Sequence, residues 1–143
     1  MSVTKTAPDR AGIEAYWEEP DTISILDKNL QMLEENFILP YLHSEMDFAD
    51  FGCGGGESTV KYASKVKSCL ALEQSNRLRG LAVKRADEAG LRNIEVVEGS
   101  VLDLSRFENK FHCVMTQRVV INFMSWSEQK EVIKNIPRVN YIK

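Results

Sequence analysis

Apolar residues along this chain switch between two spacings. Ile23, Leu26, Leu30, Leu33 and Phe37 recur every three or four positions, which places them on one stripe of a helix, while Asp27, Lys28, Glu34 and Glu35 fall elsewhere around it. Asp21 or Thr22 can cap its start, Pro40 marks its exit, and the stripe is expected to face the core. Ahead of it, residues 11–19 read as a short helix stopped by Pro20, after a polar and frayed stretch of ten residues. From Met46 the spacing tightens. Met46, Phe48, Ala49 and Phe51 form a buried strand running into Gly52, Cys53, Gly54, Gly55 and Gly56, and a helix from about Ser58 to Val66 follows with Val60, Ala63 and Val66 inward.

The alternation continues. Residues 68–72 are a short apolar strand ending at Glu73; Ser75 caps a helix that carries Leu78, Leu81 and Ala82 to a stop at Gly90. Ile94 and Val96 alternate with Glu95 in a third strand, and residues 111–116 form a fourth. Ser125 with Glu128 has capping-box spacing for a last helix bearing Val132, Ile133 and Ile136. Strands alternating with helices predict an α/β fold with a doubly wound, mainly parallel sheet. Residues 1–44 are expected as an amino-terminal tail and helices packing on a core formed by residues 45–143.

Composition narrows the class. At 143 residues, 43% hydrophobic and 27% charged, the chain reads as one soluble domain. A net charge of −3 without a long Lys/Arg cluster argues against nucleic acid or an anionic membrane as partner. No apolar run reaches the roughly 18 residues of a membrane span. Cys53, Cys69 and Cys113 are odd in number and lack C-x-x-C spacing, which suits reduced thiols, no metal site and a cytoplasmic location.

The strand–glycine–helix corner carries the chemistry. A sharp strand-to-helix turn needs positive φ or a missing Cβ, and a ligand approaches bare backbone where glycine stands. The dinucleotide pattern G-x-G-x-x-G, counted from Gly52 and Gly54, would need its third glycine at Glu57, so it fails. A P-loop needs Gly-Lys-Ser/Thr; here Glu57 stands between Gly56 and Ser58, where its charge repels phosphate. A phosphate-free nucleoside cofactor fits better. About twenty residues on, Glu73 ends the second strand, where a carboxylate can accept both ribose hydroxyls.

Asp50 two residues before Gly52, with Gly54 and Gly56 following, resembles the D-x-G-x-G-x-G loop of class I S-adenosylmethionine-dependent methyltransferases. The resemblance implies a Rossmann-like fold and S-adenosylmethionine as cofactor. Asp50 would orient the methionine end, Gly52, Cys53, Gly54 and Gly56 would line the loop, and Glu73 with Gln74 would meet the ribose. Family members often carry Gly-Asp after strand three; this chain has Gly99, Ser100 and Val101, and Asp103 reads equally as a substitute acid for adenine or as a solvated loop acid. Gln117 and Arg118 fall at the rim after strand four, where Arg118 reads equally as a carboxylate's partner or a surface residue. Cys53 has no histidine near it and reads as filler rather than a nucleophile. His43 and His112 read as packing or solvent residues; Tyr16 and Trp17 read as core packing, although aromatics of similar enzymes close over the cofactor from the amino terminus.

In-line methyl transfer from a sulfonium asks mainly for positioning, so no catalytic residue is named. A small-molecule acceptor is expected, because the Asn/Asp-Pro-Pro-Tyr/Phe and Pro-Cys motifs of DNA-methylating enzymes are absent. The resembled fold has seven strands, and a fifth is expected near residues 139–142, close to Lys143. Truncation is the favoured account, with a partner or a second copy covering the open sheet edge as the alternative. Two rivals remain: a non-catalytic cofactor-binding or protein-interaction module, and a nucleotide-dependent oxidoreductase, which Glu57 disfavours.

Overall fold

The structure, a computed structural model, describes residues 9–23 and 26–139. Strands β1 (Asp47–Phe51), β2 (Ser68–Glu73), β3 (Ile94–Glu98) and β4 (Cys113–Thr116) form one sheet in the order β3-β2-β1-β4, every neighbouring pair parallel. β1 is central because its side chains from Phe48 to Phe51 are all apolar or sealed, and all are buried. The register sets Phe51 opposite Leu72 and Thr116, and Glu73 opposite Glu98, so the carboxyl ends of the strands meet along one rim. That rim receives the glycine corner.

Successive side chains of β1 point to opposite faces, and each face has its own core. Ala49 and Phe51 join Leu72, Phe107, Phe111 and Val132, with the Phe51 ring 6.0 Å from both Phe107 and Phe111. Phe48 packs on the other side with Tyr62, Ala63, Val66 and Cys69. Helices α3 (Thr59–Ala63), α4 (Asn76–Glu88) and α5 (Trp126–Arg138) follow β1, β2 and β4. The caps form as expected: Leu78 N donates to Ser75 Oγ at 3.1 Å, and Glu128 N to Ser125 Oγ at 3.2 Å. Between β3 and β4 the chain makes only a 3-10 turn, Ser105–Phe107.

Several boundaries move. α3 spans five residues, shorter than the helix expected over 58–66, because turns at residues 64–65, where Lys65 N donates to Tyr62 O, end it at Ala63; Tyr62 is buried beside Ala63. On α5, Ile133 is exposed and Asn135 takes the inward position, donating to Leu102 O at 2.9 Å. Val139, expected in a fifth strand, caps α5 and is buried; its carbonyl accepts from Lys110 N and Phe111 N. Residues 140–142 of that expected strand lie outside the described residues, as does the amino-terminal stretch 1–8. β4 is the edge strand on its side of the sheet among the described residues, and none of its residues is fully buried.

The largest departure concerns the second helix. α2 (Lys28–Ile38) starts at Asp27, which accepts from Asn29 N and Leu30 N, rather than at Asp21 or Thr22. Its apolar stripe faces outward: Leu33 is 64% and Phe37 68% exposed, and Ile23, Leu26 and Leu30 are exposed too. The inward residues are Gln31 and Glu35. Glu35 accepts from Gln31 Nε2 at 3.0 Å, from Ser58 Oγ at 2.8 Å and from Lys61 Nζ. Burial raises its pKa, but the bonds from Lys61 and Ser58 outweigh that and hold the carboxyl below its ordinary value. Polar attachment therefore decides the helix's orientation, against the apolar period. Glu35→Ala is expected to cost about 1–3 kcal/mol of unfolding free energy, and Leu33→Ala less than about 0.5 kcal/mol, in urea denaturation. The reverse order would return the apolar stripe to the core.

Candidate functional site

One cavity opens where the carboxyl ends of β1, β2 and β4 meet. Gly52 turns the chain out of β1 at φ +80°, and Gly54 and Gly56 adopt φ +57° and +76°, a region that side chains with a Cβ rarely tolerate. Gly52 N and Cys53 N both donate to Leu72 O, at 2.7 and 3.1 Å, which ties the corner to β2. Against Gly52 packs Val119 of the segment after β4: a Cβ there would lie 2.2 Å from the valine methyl.

Two carboxylates face this corner. Asp50 is 3% exposed and accepts from Thr59 Oγ1 at 2.7 Å. Burial, only partly offset by the Thr59 bond and reinforced by the charge of Glu73, pushes its pKa up to about 6. Glu73 is bound by backbone at both oxygens: Gly54 N donates to one at 2.9 Å and Ser75 N to the other at 2.8 Å. Each oxygen keeps a lone pair for a ligand hydroxyl. The carboxylate thus stands already oriented at the cavity wall.

The cavity gathers most of the residues singled out in the sequence. Asp50, Gly52, Cys53 and Gly54 line it from β1, and Glu73 and Gln74 from β2. Ser100, Val101 and Gln117 complete the set from the ends of β3 and β4. Two expected residues lie elsewhere. Gly56 packs against α4, where a Cβ would come 2.9 Å from Ala82 Cα, so its role is helix packing. Asp103 is exposed and folds into its own turn, accepting from Ser105 N at 3.2 Å and Ser105 Oγ at 2.7 Å, which hold its carboxyl below the ordinary value. It does not reach the cavity, and the adenine contact expected of it fails.

Other features were not legible in the sequence. α1 (Arg10–Glu18) roofs the cavity with Ile13, Glu14 and Trp17, although none of its residues is fully buried; the core packing expected of Tyr16 and Trp17 is replaced by an exposed Tyr16 and a cavity-lining Trp17. Polar bonds hold this roof in place. The Glu18 carboxylate accepts from Asn76 N and Arg77 N at the start of α4, and with the Ser75 hydroxyl these bonds lower its pKa. At the other end Arg10 reaches Glu128 at 3.7 Å. Arg118, at φ +57°, pairs with the chain's own Glu34 of α2 through two bonds of 3.0 and 2.8 Å. Cys53 is no nucleophile: burial, then the charges of Asp50 and Glu73, push its thiol well above the usual range. His112 accepts from Asp47 N at 3.0 Å at the opposite end of the sheet. Among the described residues no group of three His, Cys, Asp or Glu is placed to hold a metal.

A family profile described as a methyltransferase domain matches residues 48–140, well over half of the chain and all of this cavity's sheet but Asp47. The chain belongs to that family. Solved structures support the fold of this methyltransferase domain. YcgJ of Bacillus subtilis superposes with a TM-score of 0.70 at 16% identity, over 77% of this chain and 47% of that one. The [4+2]-cyclase SpnF gives 0.72 at 17% identity, over 85% and 45%. A protein of Methanococcus maripaludis described as S-adenosyl-L-methionine-dependent methyltransferase gives 0.66 at 21% identity, over 99% and 63%. The chain thus spans about half the length of the solved structures it matches. No curated protein matches it.

The buried acid generates a pH signature. In the folded domain Asp50 takes up its proton near pH 6, against 3.8 ordinarily, so its contribution to stability is complete below about 3.8 and is lost as pH rises through about 6. Two pKa units at a fully buried site correspond to about 3 kcal/mol. Asp50→Asn is therefore expected to unfold at higher urea than the parent at pH 7, with the gap closing toward pH 4. Parallel curves across that range would refute the buried charge.

Proposed function

We propose that this methyltransferase domain binds S-adenosylmethionine in the cavity above β1 and β2 and serves methyl transfer to a small-molecule acceptor. The observation that carries the reading is the charge of the cavity wall. Asp50 and Glu73 face the glycine corner, while the cavity's arginines are already engaged: Arg10 with Glu14 and Glu128, Arg118 with Glu34. Among the described residues, no basic side chain lining the cavity is left to neutralise a phosphate. A ligand bearing an ammonium and a sulfonium, with one carboxylate, suits such a wall, and dinucleotides do not.

The donor set fits the cofactor part by part. Glu73, fixed by two backbone N–H groups, would accept the ribose hydroxyls; Asp50 would face the amino-acid end; Ser100 and Val101, at the end of β3, would flank the base, with Gln117 at the rim. When bound, the cofactor supplies an activated methyl group. The chain's own part is to orient and to exclude water: Trp17 and Ile13 close the cavity from above, and Val119 and Phe123 line it with apolar surface.

A second reading, a cofactor-binding or interaction module without turnover, is favoured by the open β4 edge and the outward apolar stripe of α2. Calorimetric titration separates the classes. S-adenosylhomocysteine is expected to bind and NAD not to; Glu73→Ala should weaken the adenosyl ligand by about tenfold to a hundredfold, as loss of charge-assisted bonds does. Binding of NAD alone would end the methyltransferase reading, and transfer of labelled methyl to an acceptor panel distinguishes an enzyme from a module. Because a cationic ligand competes with a proton at Asp50, affinity should fall by about tenfold from pH 7 to pH 5. A flat profile would remove Asp50 from the ligand's surroundings.

A further inference from the structure

The glycine run holds one glycine too many. Gly52, Gly54 and Gly56 satisfy the loop spacing and take positive φ, whereas Gly55 does not adopt a left-handed conformation, so backbone freedom does not explain it. Space does. A Cβ on Gly55 would come 2.5 Å from the Nη1 of Arg85, which donates to the Gly55 carbonyl. The other guanidinium nitrogen, Nη2, donates to Glu57 Oε1 at 3.1 Å, and Glu57 is held from the opposite side by Lys28 of α2 at 3.2 Å. Arg85 does not line the cavity, yet it grips the loop that does at two points two residues apart.

We infer that Arg85 is a positioning residue of the cofactor site, one that fixes the glycine corner from α4 through the space left by Gly55. The inference deepens the proposed cofactor reading and adds to it a residue that touches no ligand. The planar fork is suited to this: it engages a carbonyl and a carboxylate at once, and a lysine ammonium cannot hold both in that geometry. Other anchors act on the same loop: Leu72 O accepts from Gly52 N and Cys53 N, Glu73 from Gly54 N, Val119 packs against Gly52 and Ala82 against Gly56. Arg85 adds one from outside the cavity lining.

The test is a double-mutant cycle on the whole chain. Arg85→Ala and Gly55→Ala should each weaken S-adenosylhomocysteine binding by about tenfold in calorimetry, and the double variant should be no worse than either alone, because the alanine Cβ then occupies the space the guanidinium has left. Arg85→Lys should recover part of the loss. In parallel, amide hydrogen exchange of residues 53–58 is read without ligand, and should speed up in Arg85→Ala and Gly55→Ala while the β1 and β2 amides stay protected. Additive losses, or a lowered thermal midpoint with affinity and loop exchange unchanged, would overturn the inference. If the parent chain binds no adenosyl ligand, the cofactor reading fails, and the exchange of the loop still decides the role of Arg85.

Discussion

The hydrogen bond from Gly54 N to Glu73 joins the two halves of the candidate site, and the rest of the rim is arranged around it. A parallel sheet brings the ends of β1 and β2 to one level, but that alone leaves the loop after β1 free to fold in many ways. The loop folds one way because its donors are spoken for: Gly52 N and Cys53 N at Leu72 O, Gly54 N at Glu73. A charged acceptor makes such a bond roughly twice as strong as a neutral one. The same carboxylate also receives Ser75 N, so one side chain organises the end of β1 and the start of α4 together. A ligand arriving there meets a preformed wall, and little of its binding energy is spent on ordering it.

The orientation of α2 shows polar geometry overruling an apolar period. A stripe at positions 26, 30, 33 and 37 normally seeks the core, since each buried leucine is worth about 1.5–3 kcal/mol. Here the core beneath α2 is already filled by Phe48, Tyr62 and Ala63, and the surface it presents is polar: Ser58, Lys61, Glu57 and Arg118. Against that surface, Gln31, Glu34, Glu35 and Lys28 find partners that leucines could not satisfy. Each unmet polar group in such a contact costs about 1–3 kcal/mol, comparable with the apolar gain forgone. The stripe is left outside, with Leu30, Leu33 and Phe37 all exposed.

This explains what the sequence disclosed and what it withheld. The strands and their order of appearance were legible because periods of two and of three to four residues are local properties, and so were the Ser75 and Ser125 caps. The glycine corner and Glu73 were legible for a different reason: the turn restricts φ, and the acid follows at the length of one βα unit. The facing of α2 was not, because its partners Ser58, Lys61 and Arg118 lie 23 or more positions away from Glu35 or Glu34. Trp17 as a roof depends on Glu18 reaching the first N–H groups of α4 across nearly sixty residues. Asp103 misled because an acid near the end of a strand looks the same whether it aims at a cavity or closes a turn on Ser105.

What the site can do is set by which parts of the fold carry it. The cofactor corner rests on β1, β2 and their following helices, all packed and internally bonded in this chain. The segment after β4 contributes Val119, Phe123 and Met124 to the cavity, but β4 has no further strand beside it among the described residues. On the proposed reading, an adenosyl ligand would be held by the β1 and β2 side of the sheet, and an acceptor would approach from the β4 side. A [4+2]-cyclase and methyltransferases share this scaffold, so the scaffold alone does not fix the reaction. On the proposed reading, Asp50, Glu73 and the arginine-held corner would face a cation-bearing nucleoside. On that reading, the reaction would depend on what the surface beyond β4 brings to the methyl group.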